Sequence, residues 1–189
     1  MTGLSANLPR ARTYACIRTT VAAFQTRFPD KSLRILDVGA RDGFATHLLR
    51  HHGYLSVTAS DIEDRFIEMA YALWGVNVTQ DDFSDTKLSR QFDVVYGRHV
   101  AEHLPSLECF FRNCAKVLVD CGWVFATLPI EKEPTLHAGH LCCCASPGDL
   151  LAAARAAGIV SVEFGMSDSI GIRPTKTEMF FRGRAKCPE

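Results

Sequence analysis

The chain has 189 residues, with 21 basic and 21 acidic side chains balancing to zero formal charge and a pI near 7.0. That balance excludes a global electrostatic pull towards nucleic acid or a membrane surface. No apolar run approaches the roughly 20 residues of a spanning helix, and the N-terminus lacks an apolar signal-peptide core. A single domain over residues 1–189, cytoplasmic by default, is the expectation. The eight cysteines show no C-x-x-C spacing, and several sit in apolar periodic segments, where reduced thiols are expected.

In chain order, residues 1–9 read as a loose leader. Tyr14, Ile17, Val21 and Phe24 then recur at helical spacing over 11–28, and Pro29-Asp30 stops the helix. Together these make an N-terminal leader and helix over 1–30, ahead of a core over 31–183. Ile35–Val38 predicts a buried strand, Gly39–Gly43 a tight turn, and Phe44 onward a helix ending near Gly53. A second strand is expected over 55–59, finishing at Ser60-Asp61. Phe66, Ile67, Ala70, Leu73 and Trp74 mark a helix closed by Gly75. Strands follow over 76–79 and 92–96, the latter almost continuously apolar and so buried on both faces.

Pro105-Ser106 opens another helix, and a fifth strand covers 121–128. A polar loop rich in His and Cys fills 129–145. Ser146-Pro147-Gly148-Asp149 is a strong helix start. The last strands, 159–164 and 177–181, read as antiparallel to each other. This alternation predicts an α/β fold, a Rossmann-like open sheet with helices on both faces.

In such sheets ligands bind beyond the carboxyl ends of the strands. The first end offers Asp37 and the turn Gly39-Ala40-Arg41-Asp42-Gly43. The second offers Asp61-Ile62, the third Asp82-Phe83, and the fourth Gly97-Arg98-His99. The dinucleotide spacing G-x-G-x-x-G is missing. A carboxylate suits ribose hydroxyls, and an acid beside an aromatic suits an adenine amino group and ring. The pattern points to a nucleoside ligand.

Ile35-Leu36-Asp37-Val38-Gly39-Ala40-Arg41-Asp42-Gly43 resembles the first motif of class I S-adenosylmethionine-dependent methyltransferases. Asp61, Asp82 and Phe92–Tyr96 are similar to the motifs that follow it, as are Val100-Ala101-Glu102-His103-Leu104 and Lys116-Val117-Leu118…Gly122-Trp123-Val124-Phe125. The resemblance implies a three-layer sandwich around a seven-stranded, mostly parallel sheet whose last strand is antiparallel. It also implies S-adenosyl-L-methionine with its methionine end over Gly39, ribose on Asp61 and adenine near Asp82 and Phe83. Ala40, Arg41, Gly43, Ile62 and Gly97 complete the expected cofactor site. The family usually has glycine where Arg41 stands, so that side chain must turn away from the cofactor or meet its carboxylate.

His99-x-x-Glu102-His103, followed by His137-x-x-His140, forms a second constellation. Residues 99, 102 and 103 share one face of a helical turn. Imidazole with carboxylate suits a divalent metal. A similar E-x-x-E-H arrangement with a later His binds a metal in the small-RNA 3′-terminal 2′-O-methyltransferases, and ubiquinone-pathway O-methyltransferases share much of it. Without a metal, His99, His103 or His140 is a candidate general base. Adjacent thiols at Cys142–Cys144 cannot easily turn onto one ion and read as loop or core cysteines.

The expected activity is O- or N-methylation of a small molecule or an exposed terminus, with His99, Glu102, His103 and His140 at the acceptor site. Two alternatives stand beside it: a non-catalytic nucleoside-binding scaffold, which Arg41 favours, and a metal-dependent 2′-O-methyltransferase acting on RNA.

Overall fold

The computed structural model describes residues 11–131, 139–166 and 178–187. The leader, His137 and Thr177 lie outside the described residues. Helix α1 (Ala11–Arg27) precedes strand β1 (Ile35–Val38), and then α2 (Phe44–His51), β2 (Val57–Asp61), α3 (Asp64–Trp74) and β3 (Val78–Gln80) follow. After β4 (Phe92–Arg98) come a single helical turn (Ala101–His103), α4 (Leu107–Val117), β5 (Leu118–Pro129), α5 (Pro147–Ala156), β6 (Ile159–Met166) and β7 (Glu178–Ala185).

The strands form one sheet in the order β3-β2-β1-β4-β5-β7-β6. The pairs from β3 across to β5 are parallel, whereas β7 runs antiparallel to both β5 and β6. The last strand alone is reversed, as expected. Strand order turns back between β1 and β4, and a crevice opens beyond the carboxyl ends at such a point.

Alternate residues of the central strands feed two apolar layers. Ile35 and Val94 pack with Phe24, Leu49, Tyr54 and Phe125 beneath α1 and α2. Their neighbours Leu36 and Val95 pack with Phe110, Phe111, Val117 and Leu150 beneath α4 and α5. This two-sided burial explains why β1 and β4, apart from Asp37 and Asp93, read as largely apolar runs rather than alternating ones.

Helix ends follow their local chemistry. Ser106 caps α4 by accepting from the Cys109 N–H, and Ser146 with Asp149 forms a reciprocal capping box on α5. Gly75 closes α3 in the left-handed region at φ 64°.

Several boundaries differ from expectation, β3 beginning at Val78 and β4 and β6 each running two residues further. β2 begins at Val57 rather than residue 55, because Val57 is the residue in register with Ile35, while Leu55 stands 90% exposed in the preceding turn. β5 starts earlier, at Leu118, and β7 continues to Ala185. The thiol reading also needs correction. Cys109, Cys114 and Cys144 are buried and free, but Cys121 and Cys187 are joined in a disulfide. Antiparallel pairing of Trp123 with Arg184 draws the start of β5 and the chain beyond β7 together, leaving the two cysteine Cα atoms 4.7 Å apart.

Candidate active site

The turn after β1 is set by backbone conformation. Gly39 has φ 64°, and a Cβ on it would stand 2.6 Å from Val100 Cγ2. Gly43 has φ 75°, and its Cβ would stand 2.8 Å from the Ala70 Cβ, so the first turn of α2 presses against α3 through bare backbone. Arg41 is also left-handed, at φ 50°. Its N–H donates to Asp61 Oδ2 at 2.8 Å, which holds the residue in that region. The guanidinium lies over the Phe66 ring at 4.9 Å, turned along the cavity wall rather than across Gly39.

A cavity of about 570 Å³ opens at the carboxyl ends of β1, β2, β3 and β4. Gly39, Arg41, Asp61, Ile62, Asp82, Phe83, His99 and His103 all line it. Its size is that of a site for a nucleoside-sized ligand. Asp61 is buried, and its second oxygen accepts from the Glu63 N–H at 3.0 Å. Asp82 accepts from the Ser84 N–H at 2.8 Å.

A smaller cavity of about 120 Å³ adjoins the first, sharing Gly39 and Arg41 with it. Asp37, Ala40, Asp42, Tyr96 and Arg98 face it, with α1 as its outer wall. Burial pushes the Asp37 carboxyl up to about 7, although Thr46 Oγ1 donates to it at 2.5 Å and opposes the shift. Tyr14 donates to Asp42 Oδ2 at 2.8 Å, closing that wall; burial and this bond raise its phenol to about 12.

The histidines form a separate layer beyond β4. His99 has φ 55°, and both its ring nitrogens face carboxylates: Nδ1 lies 3.0 Å from Glu102 Oε1 and Nε2 lies 2.9 Å from Glu178 Oε1. A carboxylate only accepts, so the ring donates from both nitrogens as an imidazolium. Burial pulls its pKa down, but the bonds to Glu102 and Glu178 outweigh burial and hold it at about 8.

Glu102, His103 and His140 converge, with one ligand atom from each lying within 4.8 Å of the others. The backbone makes this possible: Leu141 and Cys142 donate their N–H groups to Glu102 O at 2.8 and 3.2 Å, pinning the 139–142 segment to the turn after β4. His103 Nδ1 donates to Gly139 O at 3.0 Å, and His140 Nδ1 donates to Glu131 Oε2 at 2.7 Å. Each ring therefore keeps its Nε2 lone pair. Glu102 is 2% exposed, and its Oε2 is buried without a hydrogen-bond partner among the described residues. The neighbouring thiols stay protonated. Burial pushes Cys142 up to about 12 and Cys144 to about 11, and they donate to Ala101 O and Ser146 O.

A sequence profile described as a methyltransferase domain matches residues 9–158, most of the chain. The chain belongs to the methyltransferase-domain family. A ubiquinone biosynthesis O-methyltransferase of Nitrosomonas europaea is 28% identical over 112 residues, which cover 55% of this chain and 47% of that protein. The chain thus spans under half the length of that relative. A chain solved with the Trm112 methyltransferase activator of Haloferax volcanii shares the fold at a TM-score of 0.79 and 16% identity, covering 94% of this chain and 91% of its own. Phosphoethanolamine N-methyltransferase 2 of Haemonchus contortus, in complex with S-adenosyl-L-methionine, matches at 0.72 and 13%, covering 89% of this chain and 52% of its own.

Within this methyltransferase the structure brings most of the expected site residues to the walls of the two cavities; Glu102, His140, Gly43 and Gly97 line neither. Gly97 lies off both cavities; a Cβ there would meet Phe110 Cζ at 3.3 Å, so it is a packing glycine. Gly43 likewise serves helix packing and lines neither cavity. His99 stands outside the converging group of Glu102, His103 and His140, because both of its nitrogens are already engaged. Glu131 and Glu178, which orient His140 and His99, are missing from the sequence reading. They come from just beyond β5 and from the start of β7, and nothing in their local sequence marks either as a partner of a histidine.

Proposed function

We propose that this methyltransferase transfers the methyl group to a hydroxyl oxygen of a small molecule, with a divalent cation held by Glu102, His103 and His140. The single observation that carries the reading is the convergence of those three groups beside the larger cavity, into which His103 also faces. The donor set fits a cation: the buried, partnerless Glu102 Oε2 would otherwise be a costly orphan, and the two imidazoles are fixed in the tautomer that leaves Nε2 free. A cation bound there would act as a Lewis acid and lower the pKa of the acceptor hydroxyl.

The chain's own residues do the rest. Asp61, Asp82 and Phe83 would hold the nucleoside, and Gly39 would let the backbone approach the amino-acid end. Methyl transfer is an in-line displacement, so the protein's work is chiefly positioning. His99 fixes Glu102 Oε1, leaving Oε2 as the atom offered to the cation. The name of the ubiquinone-pathway relative supports an oxygen acceptor over a nitrogen one. The turned-away Arg41 guanidinium supports turnover over a non-catalytic scaffold.

The test is methyl transfer from labelled S-adenosylmethionine to a panel of catechols and matched anilines, with Mn²⁺ or Mg²⁺ and again with EDTA. Product on oxygen, lost with EDTA and restored by the cation, is the expected result. Methylated anilines with indifference to EDTA would overturn both the acceptor and the cation.

A further inference from the structure

Arg98 ends β4 and, two residues after Tyr96 and so on the same side of the strand, lines the smaller cavity with it. Its Nε is buried without a hydrogen-bond partner, and no ion pair or ring contact engages the guanidinium among the described residues. Among the described residues, the other arginine that lines this cavity, Arg41, stacks on Phe66. Glu178 feels the charge of Arg98, yet the Glu178 carboxylate is given to His99 at 2.9 Å. A cation half-withdrawn from water and left unpaired is unfavourable unless a ligand completes it.

Buried Asp37 and Asp42 line it as well. The cavity thus holds both carboxyls and a fork-shaped donor. At about 120 Å³ it admits only an appendage of a larger ligand, and it opens beside Gly39.

We propose that Arg98 is a carboxylate receptor of this methyltransferase, pairing its planar fork with an anion that enters the smaller cavity next to the reacting centre. A guanidinium is matched to a carboxylate by two parallel N–H···O bonds. Two sources carry that chemistry: the α-carboxylate at the amino-acid end of the cofactor, and a carboxylate on the acceptor. The inference rests on the cofactor lying across Gly39 and is independent of the cation.

The experiment is calorimetry on the full chain, wild type and Arg98→Gln, with S-adenosylhomocysteine and with 5′-methylthioadenosine, the same nucleoside thioether without the amino-acid end. If the cofactor supplies the carboxylate, Arg98→Gln weakens S-adenosylhomocysteine by about 10- to 100-fold and leaves 5′-methylthioadenosine unchanged. If the acceptor supplies it, neither affinity moves. Benzoate titrated into the S-adenosylhomocysteine complex then shifts amide resonances around Tyr96 and Arg98 in the wild type and not in the variant.

Arg98→Lys keeps the charge without the fork and is expected to recover only part of either loss. Because the guanidinium is unpaired, Arg98→Gln melts no lower than the wild type. Equal weakening of both nucleosides, or no difference from the wild type in any arm, overturns the receptor. Failure of both nucleosides to bind the wild type would instead remove the cofactor placement on which the inference rests.

Discussion

Thr46 Oγ1, in the first turn of α2, donates a 2.5 Å hydrogen bond to the Asp37 carboxyl at the end of β1. The bond favours the ionised acid, but burial, helped by the nearby Asp61 and Asp42 charges, dominates and leaves Asp37 near pH 7. Unfolded, the same acid titrates near 3.8. Its folded pKa is raised, so folding is favoured by its proton at low pH, and that contribution is lost as pH rises through about 7. A ligand ammonium in the smaller cavity favours the ionised form. Affinity for S-adenosylhomocysteine is therefore expected to rise between pH 6 and 8, by up to about tenfold per unit below the pKa. Asp37→Asn should abolish that slope, weaken binding, and raise stability at pH 8 by on the order of 2–4 kcal/mol. Calorimetry across pH and thermal melts check the two halves; a pH-independent wild-type affinity would place the amino-acid end elsewhere.

Asp61 has a double duty. Its two oxygens accept from the N–H groups of Arg41 and Glu63, which leaves one lone pair on each for ribose hydroxyls. Asp61→Ala removes both the ligand contacts and the brace that holds Arg41 in its left-handed conformation. Cofactor affinity should fall by roughly 1.5–3 kcal/mol or more, with Asp61→Asn intermediate because one acceptor oxygen survives. Equal affinities for wild type and Asp61→Ala would dissociate the β2 end from the nucleoside.

The parts of this site written in the sequence are those set by local chemistry. Asp37, Asp61 and Asp82 are legible because each follows an apolar run at a strand end, where the fold gathers them. The reversed final strand follows from the family resemblance, whereas the start of β2 is misplaced because Leu55 is apolar but exposed. For His99 and Gly97, spacing gives a place beside the site, but only tertiary partners decide their work. Glu178 arrives from 79 residues away to claim His99, and Phe110 from α4 claims the space at Gly97. Likewise the Cys121–Cys187 disulfide spans 66 residues and depends on strand pairing that no local pattern encodes.

Gly43 tests the packing of the turn apart from ligand binding. Gly43→Ala puts a Cβ 2.8 Å from that of Ala70 and forces an alanine to φ 75°. Ala70 sits on α3 and Val76 just beyond its end, both buried and with little room to give, so the cost should be about 1–3 kcal/mol of stability. Denaturant unfolding with an unchanged m-value checks it. An unaffected midpoint would mean that α2 and α3 can separate without cost.

Glu131 separates a cation site from an ordinary histidine cluster. Its carboxylate accepts from His140 Nδ1 at 2.7 Å and touches neither Glu102 nor His103 by hydrogen bond among the described residues. If His140 ligates through Nε2, Glu131 sets the tautomer and raises the basicity of the ligand. Glu131→Gln should then weaken Mn²⁺ binding by about 10- to 100-fold, read from the free-ion Mn²⁺ resonance signal without any methyl acceptor present. His140→Ala should weaken it further, and the double variant should add little to His140→Ala alone, because Glu131 would reach the cation through that ring. Affinity for S-adenosylhomocysteine should stay constant across all three, since neither side chain lines the larger cavity. If Mn²⁺ binds equally well to wild type and variants, the imidazole of His140 is held by Glu131 for structure alone, and the cation reading of the triad is withdrawn.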